Sequence, residues 1–193
     1  ISPLIQKSVM KEYHITNEQT PVIYNGSDLN KCLIKTDYRA SKPFTIVHIG
    51  RFNPQKNHSV IIDAAQKLKE AGLKFVIKLN GGAGNEDQRK QEVKQKGLEN
   101  EISFCGLQGN VYPFLQSADC FILPSLYEGM PITLVEAMGC GLPIIASAVG
   151  GVPDMIENGK SGILISPNAD QLVVAIKKHM VDAKLREYLG KNA

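Results

Sequence analysis

From Phe44 to the end of the chain, short apolar runs alternate with stretches of helical period, and this alternation constrains the fold more than any other feature. Runs of four to seven apolar or β-branched residues suit strands buried on both faces, and a helix between runs returns the chain to start the next strand in the same direction. The runs fall at residues 44–50, 73–79, 102–105, 120–123, 144–147 and 162–165. The first helix is predicted to open at Asn53, as N-cap before Pro54, to carry Val60, Ile61, Ala64, Ala65 and Leu68 inward, and to stop at Gly72. A polar helix is predicted at 87–96, and further helices at 111–118, 131–140 and 153–156. A last one over 169–189 turns Leu172, Val173, Ile176, Met180 and Leu185 to one side. The fold class is therefore α/β, a Rossmann-like doubly wound parallel sheet, whose ligands bind at the carboxyl ends of the strands.

Residues 1–42 lack this rhythm. Residues 2–13 suit one amphipathic helix, 21–24 one strand and Asn25-Gly26 a turn, ahead of a polar stretch reaching Lys42. They read as the tail of a preceding domain plus a linker, and residues 43–193 as the doubly wound domain. With an opening Ile, and no signal-peptide pattern, the sequence reads as an excised piece of a longer cytoplasmic protein. The longest uncharged run, 137–153, is interrupted by four glycines and two prolines, so no membrane span is expected there.

The net charge of +3, from 22 basic and 19 acidic residues dispersed along the chain, gives nucleic-acid binding little electrostatic support. Cys32, Cys105, Cys120 and Cys140 show no metal-ligand spacing with one another or with the four histidines, so they read as small core hydrophobes of a reducing compartment. His48, inside a buried-type strand, reads as a satisfied core histidine.

The segment Tyr127-Glu128-Gly129-Met130-Pro131-Ile132-Thr133-Leu134-Val135-Glu136 is the most informative. Pro131 suits the first helical position, which leaves Glu128 and Gly129 just outside a helix N-terminus and Glu136 about a turn and a half inside. Unpaired amides there can hold a phosphate or a sugar hydroxyl, and two carboxylates can each accept from vicinal hydroxyls. The plain alternative is that Glu128 complements the helix dipole and Glu136 is a surface residue. Glu136 lies in the least polar part of the chain, where an unpaired carboxylate is costly, and this favours a functional pair.

Gly50-Arg51-Phe52-Asn53-Pro54-Gln55-Lys56-Asn57 follows the first strand and brings two cations within reach of a diphosphate; a loop with two solvated cations fits equally well. Asn80-Gly81-Gly82-Ala83-Gly84 lacks the spacing of a dinucleotide fingerprint and reads as a Gly-rich turn. Gly150-Gly151-Val152-Pro153 is either a further anion-facing loop or a point of tight packing.

Taken together, GRFNPQKN, the glycine loop, YEGMPITLVEAMGCGLPIIAS, AVGGVPDMIENGKSGILI and LREYLG resemble the C-terminal, donor-binding domain of retaining glycosyltransferases of the GT-B fold, family 4. The resemblance runs from about Ser2 to the end, because ISPLIQKSVMKEYHI and VIYNGSDLNKC are similar to the segment that closes the acceptor domain and enters the linker. It implies one half of a GT-B fold. Arg51 and Lys56 would hold the diphosphate of a nucleotide-sugar donor, with Gly50 beside them. Glu128, with Gly129, Met130, Pro131 and Ile132, would meet the sugar, and Glu136 the ribose hydroxyls. Gly82 would approach the nucleotide, and main chain from Phe104 to Leu107 would flank the base. The resemblance further implies transfer with retention by front-face attack, no cofactor or bound metal, and a glycan or lipid-linked acceptor presented by the missing N-terminal domain. That domain would also decide any membrane association, and the fragment alone would be inactive. Met130-Pro131 departs from the Phe-Gly that commonly follows the Glu-Gly, and Pro131 brings no N–H. A GT-B epimerase or phosphorylase domain, or a noncatalytic nucleotide-binding module, are the competing readings.

Overall fold

A computed structural model describes residues 2–193. Among them six parallel strands form one sheet: β1 (Phe44–Ile49), β2 (Phe75–Asn80), β3 (Ile102–Phe104), β4 (Cys120–Leu123), β5 (Ile144–Ser147) and β6 (Ile163–Ile165). Their order is β3-β2-β1-β4-β5-β6, so the winding reverses between β1 and β4. Those two strands are paired at Ile46 with Cys120 and Val47 with Phe121, which opens a crevice above their carboxyl ends.

The helices are α1 (Pro3–Tyr13), α2 (His58–Glu70), α3 (Glu86–Gln95), α4 (Tyr112–Gln116), α5 (Ile132–Gly139), α6 (Val152–Met155), α7 (Ala169–Val181) and α8 (Ala183–Asn192). Because strand side chains alternate between faces, Phe44 and Ile46 pack with Ile61, Ile62, Leu68, Leu172 and Ile176 of α2 and α7. Val47 and Ile49 turn the other way, onto Leu115, Leu134, Ala137 and Val152.

Four expectations need correction. Residues 21–24 join no strand of the sheet. The first helix does not run from Asn53: Pro54–Lys56 form a 3-10 turn capped by the Asn53 side chain, Asn57 takes a left-handed conformation (φ 56°), and α2 begins only at His58. Pro131 is the N-cap of α5 in extended conformation rather than its first helical residue. The last helix is two, because Asp182 leaves helical geometry and its side chain accepts from the Leu185 amide to start α8.

The segment before β1 is fastened to the sheet domain. Arg186 of α8 is buried and donates Nε and Nη2 to the Tyr38 carbonyl at 2.9 and 2.7 Å, while the Tyr38 hydroxyl donates to Gly141 O at 2.9 Å. A Cβ on Gly190 would stand 2.4 Å from Gly141 O, so only glycine lets α8 lie this close. Earlier in the chain, α1 buries none of its residues, yet its Leu4 amide donates to Asp154 of α6 at 2.8 Å.

Candidate functional site

The crevice between β1 and β4 brings together Gly50, Lys56 and Glu128. Lys56 lies beyond the end of β1 and Glu128 beyond the end of β4, and Lys56 Nζ donates to Glu128 Oε1 at 2.6 Å. Their side chains are 14% and 5% exposed, so the pair is largely withdrawn from water. Gln55 completes it, with Nε2 donating to Tyr127 O at 2.9 Å and to Glu128 Oε2 at 3.4 Å. A lysine just before a helix is unfavourable for the helix dipole, and Glu128 supplies an anion that offsets this.

Glycines set this geometry by what they leave out. A Cβ on Gly50 would come 3.1 Å from the Lys56 stem and 3.2 Å from His48 Nε2. Gly150 (φ 54°) and Gly151 would drive a Cβ to 1.8 Å from Glu128 O and 2.2 Å from Gly129 O. The loop before α6 is therefore a point of tight packing that fixes the main chain at Glu128 and Gly129. In the other glycine loop the close approaches belong to Gly81, 2.0 Å from Gly50 O, and Gly84, 1.8 Å from Phe52 O. Gly82, the position singled out in sequence, faces Leu107 Cβ at 3.3 Å. The Gly81 amide donates to Gly106 O at 3.0 Å, so residues 104–107 stand alongside that loop, with Phe104 half-buried and Leu107 exposed.

Arg51 is exposed, and among the described residues its guanidinium makes no hydrogen bond or ion pair. The amides of Gly129 and Met130 likewise find no acceptor among the described residues, and they precede the N-terminus of α5. With Pro131 lacking an N–H, the free donors at this terminus are split into two groups, Gly129 and Met130 before the proline and Ile132 and Thr133 after it, since the Leu134 amide donates to Pro131 O at 3.1 Å. A free cation and a set of unpaired amides beside the Lys56–Glu128 pair are the donor set that an anion would require.

Glu136 is half-buried on α5. Burial pushes its carboxyl above the ordinary range, and a hydrogen bond from Ser27 Oγ to Oε1, at 3.2 Å, pulls it partly back. Ser27 was missed in sequence because the contact spans 109 residues.

His48 is fully buried, and its Nδ1 donates to Ile122 O at 2.9 Å, but Nε2 has no partner. His58 packs edge-on to it at 4.9 Å and stacks on Phe52 at 4.3 Å. Burial drives His48 down to about 4, and burial with the neighbouring His48 drives His58 to about 2, so both rings are neutral at pH 7. His48 is thus a core histidine satisfied on one side only. A cavity of about 240 Å³ behind the loop is lined by Asn53, Asn57, His58, Asn85 and Arg89 but by none of Arg51, Lys56, Glu128 or Glu136. The four thiols are free, and among the described residues no group of three or more His, Cys, Asp or Glu side chains is placed to hold a metal ion.

Residues 33–193 match the family model described as glycosyl transferases group 1. Among curated relatives, the amylovoran biosynthesis glycosyltransferase AmsK of Erwinia amylovora is 32% identical over 167 residues, which is 82% of this chain and 41% of that protein. The UDP-Gal:alpha-D-GlcNAc-diphosphoundecaprenol alpha-1,3-galactosyltransferase of Escherichia coli is 30% identical over 196 residues, 95% of this chain and 50% of that protein. The chain thus spans half or less of the length of these relatives. Among solved structures, Anabaena HepE in complex with UDP superimposes with a TM-score of 0.82 at 25% identity, covering 96% of this chain and 54% of that one. Together with the strand order, this makes the domain the Rossmann-like half of a GT-B fold. By the match over residues 33–193, the chain belongs to the glycosyl transferases group 1 family.

Proposed function

We propose that this chain is the donor-binding half of a retaining glycosyltransferase of family 4, taking its sugar from a nucleoside-diphosphate sugar. The observation that carries the reading is the Lys56–Glu128 pair at the switch point of the sheet, flanked by Arg51 and by the unpaired amides of Gly129 and Met130. UDP in the HepE structure and the donor in the galactosyltransferase's name favour a nucleotide-sugar substrate.

On this reading Arg51 and Lys56 bind the diphosphate, Glu128 accepts from hydroxyls of the sugar, Glu136 accepts from the ribose, and main chain at 104–107 lies along the base. The two cations and the amides before α5 stabilise negative charge growing on the departing diphosphate, an electrostatic contribution supplied without metal or cofactor. The acceptor hydroxyl attacks from the side the diphosphate leaves, so configuration is retained. Because Lys56 already bonds Glu128, a diphosphate must share its ammonium with that carboxylate or replace it.

The acceptor, a glycan or lipid-linked sugar, is presented by a domain outside this chain; the diphosphoundecaprenol in the relative's name supports the lipid-linked class. The protein acts in the cytoplasm, and among the described residues no helix is long and apolar enough to cross a membrane. The chain alone binds donor and transfers nothing. Titration calorimetry with UDP, GDP and ADP, in Mg²⁺ and in EDTA, tests this: one diphosphate binds equally in both and loses affinity in Lys56→Ala. Failure of a folded sample to bind any of the three, or binding that requires Mg²⁺, refutes it.

A further inference from the structure

Glu136 is held from outside its own helix. Residues 25–35 run along α5 from its beginning to its end: Asn25 Nδ2 donates to Met130 O at 2.8 Å, Ser27 Oγ to Glu136 Oε1 at 3.2 Å, and the Lys35 amide to Cys140 O at 2.9 Å. Ser27 is the one residue of this strap that touches the carboxylate, and among the described residues no other side chain donates to it. Tyr112 of α4 also neighbours Ser27, with its oxygen 3.4 Å from Oγ, and gives its own proton to Asp28 O at 2.6 Å. A hydroxyl has a single proton to donate, and the charged acceptor claims that of Ser27.

We propose that Ser27 is a positioning residue for the donor: its hydroxyl fixes Oε1 of Glu136, so that Oε2 is presented to the ribose hydroxyls of the nucleotide. This rests on the reading of Glu136 as the ribose acceptor. A carboxylate has about four lone-pair sites, and the single protein donor on Oε1 leaves the second oxygen for the vicinal diol. The linker that follows the acceptor domain thereby becomes part of the donor site, and a shift of the strap along α5 withdraws the carboxylate's support.

The bond has an electrostatic consequence that a packing contact lacks. Burial raises the Glu136 carboxyl and Ser27 opposes that rise. The titratable neighbours are Tyr112 on α4, Cys32 in the strap and Cys140 at the end of α5, and burial pushes Cys140 up to about 12. Without Ser27 the carboxylate takes its proton at higher pH, and nucleotide affinity declines from a higher pH as the solution is acidified.

The experiment is calorimetric titration of the chain with UDP, GDP and ADP from pH 5 to 8, and of the one that binds against its 2′-deoxy form, in the parent, Ser27→Ala, Ser27→Thr and Glu136→Gln. Ser27→Ala should bind the ribonucleotide about 5-fold more weakly at pH 7.5, the net size of one hydrogen bond. Its acid decline should lie at higher pH, the 2′-deoxy form should lose much less, and Ser27→Thr should restore both affinity and pH profile. If Ser27→Ala matches the parent at every pH while Glu136→Gln weakens binding, the positioning role is refuted and the ribose reading stands. Equal losses for the ribo and deoxy forms with an unmoved pH profile refute it as well, by leaving Ser27 a structural contact. If Glu136→Gln itself changes nothing, or no nucleotide binds, the ribose reading fails and the inference falls with it.

Discussion

Replacing Lys56 with alanine separates the pair at the switch point and tests whether it is as tightly coupled as its geometry requires. In the parent, Nζ lies 2.6 Å from Glu128 Oε1, with the two side chains 14% and 5% exposed. Lys56→Ala leaves Glu128 with a single long bond, 3.4 Å from Gln55, and little access to water. Stranding one member of a buried ion pair costs about 3 to 5 kcal/mol, and the slight exposure of Lys56 favours the lower end. At roughly 2 to 4 °C per kcal/mol for a domain of this size, melting should fall by about 6 to 12 °C. Glu128→Gln alone should cost less, because the lysine stem can carry its ammonium out to solvent. Lys56→Ala combined with Glu128→Gln should recover about 2 kcal/mol or more of the single-variant loss, since no charge is then left buried. Urea denaturation of the four proteins closes the cycle. A Lys56→Ala protein within 2 kcal/mol of the parent, or additive losses in the double variant, would show the charges to be independently solvated and refute the argument.

Two other perturbations follow from the same geometry. Gly150→Ala places a Cβ within 1.8 Å of Glu128 O at a positive φ, so it should displace Glu128 and abolish nucleotide binding in a chain that still gives a cooperative melt; unchanged calorimetric affinity would contradict the packing role. His48, His58 and His179 are buried neutral, with burial driving His48 and His179 to about 4 and His58 to about 2. Such depressed bases bind more protons unfolded than folded, so stability falls as pH drops below the unfolded value near 6.5 and keeps falling toward the folded ones. From pH 7 to 5 the loss is about 2 kcal/mol per histidine, and urea midpoints that stay level or rise over this range would show that the rings reach solvent or a partner.

The sheet was legible because each strand is a local event. Residues 120–123 are apolar throughout and 144–147 are apolar up to Ser147, and they became β4 and β5 without adjustment, since every position of both strands is buried. Where the reading slipped, a single residue's backbone decided the outcome. Asn57 enters the left-handed region and delays α2 to His58, and Asp182 divides the final helix by serving as a cap where helical period alone ran straight through. The stretch 21–24 has strand-like composition, but no strand edge of the sheet accepts it.

The candidate site was legible as a set of residues and not as a set of contacts, and the reason is sequence distance. Lys56 and Glu128 each follow a strand that the alternation identifies, but that β1 and β4 are neighbours depends on where the winding reverses, which no local pattern encodes. Once the reversal is known, the two loops must meet over the crevice, and a lysine and a glutamate there must pair or remain costly in a nearly dry environment. The same reasoning explains why Gly81, Gly84, Gly150 and Gly151 matter more than Gly82: each removes a side chain exactly where another loop's carbonyl passes, and those carbonyls belong to Gly50, Phe52, Glu128 and Gly129. The glycines therefore join the β1 loop to the β2 loop and the β4 loop to the β5 loop, and the Lys56–Glu128 pair links the two. On the proposed function, these contacts set the main chain at Phe52, Glu128 and Gly129 before any anion arrives, so the ordering cost of binding falls on the ligand and on the exposed Arg51 side chain.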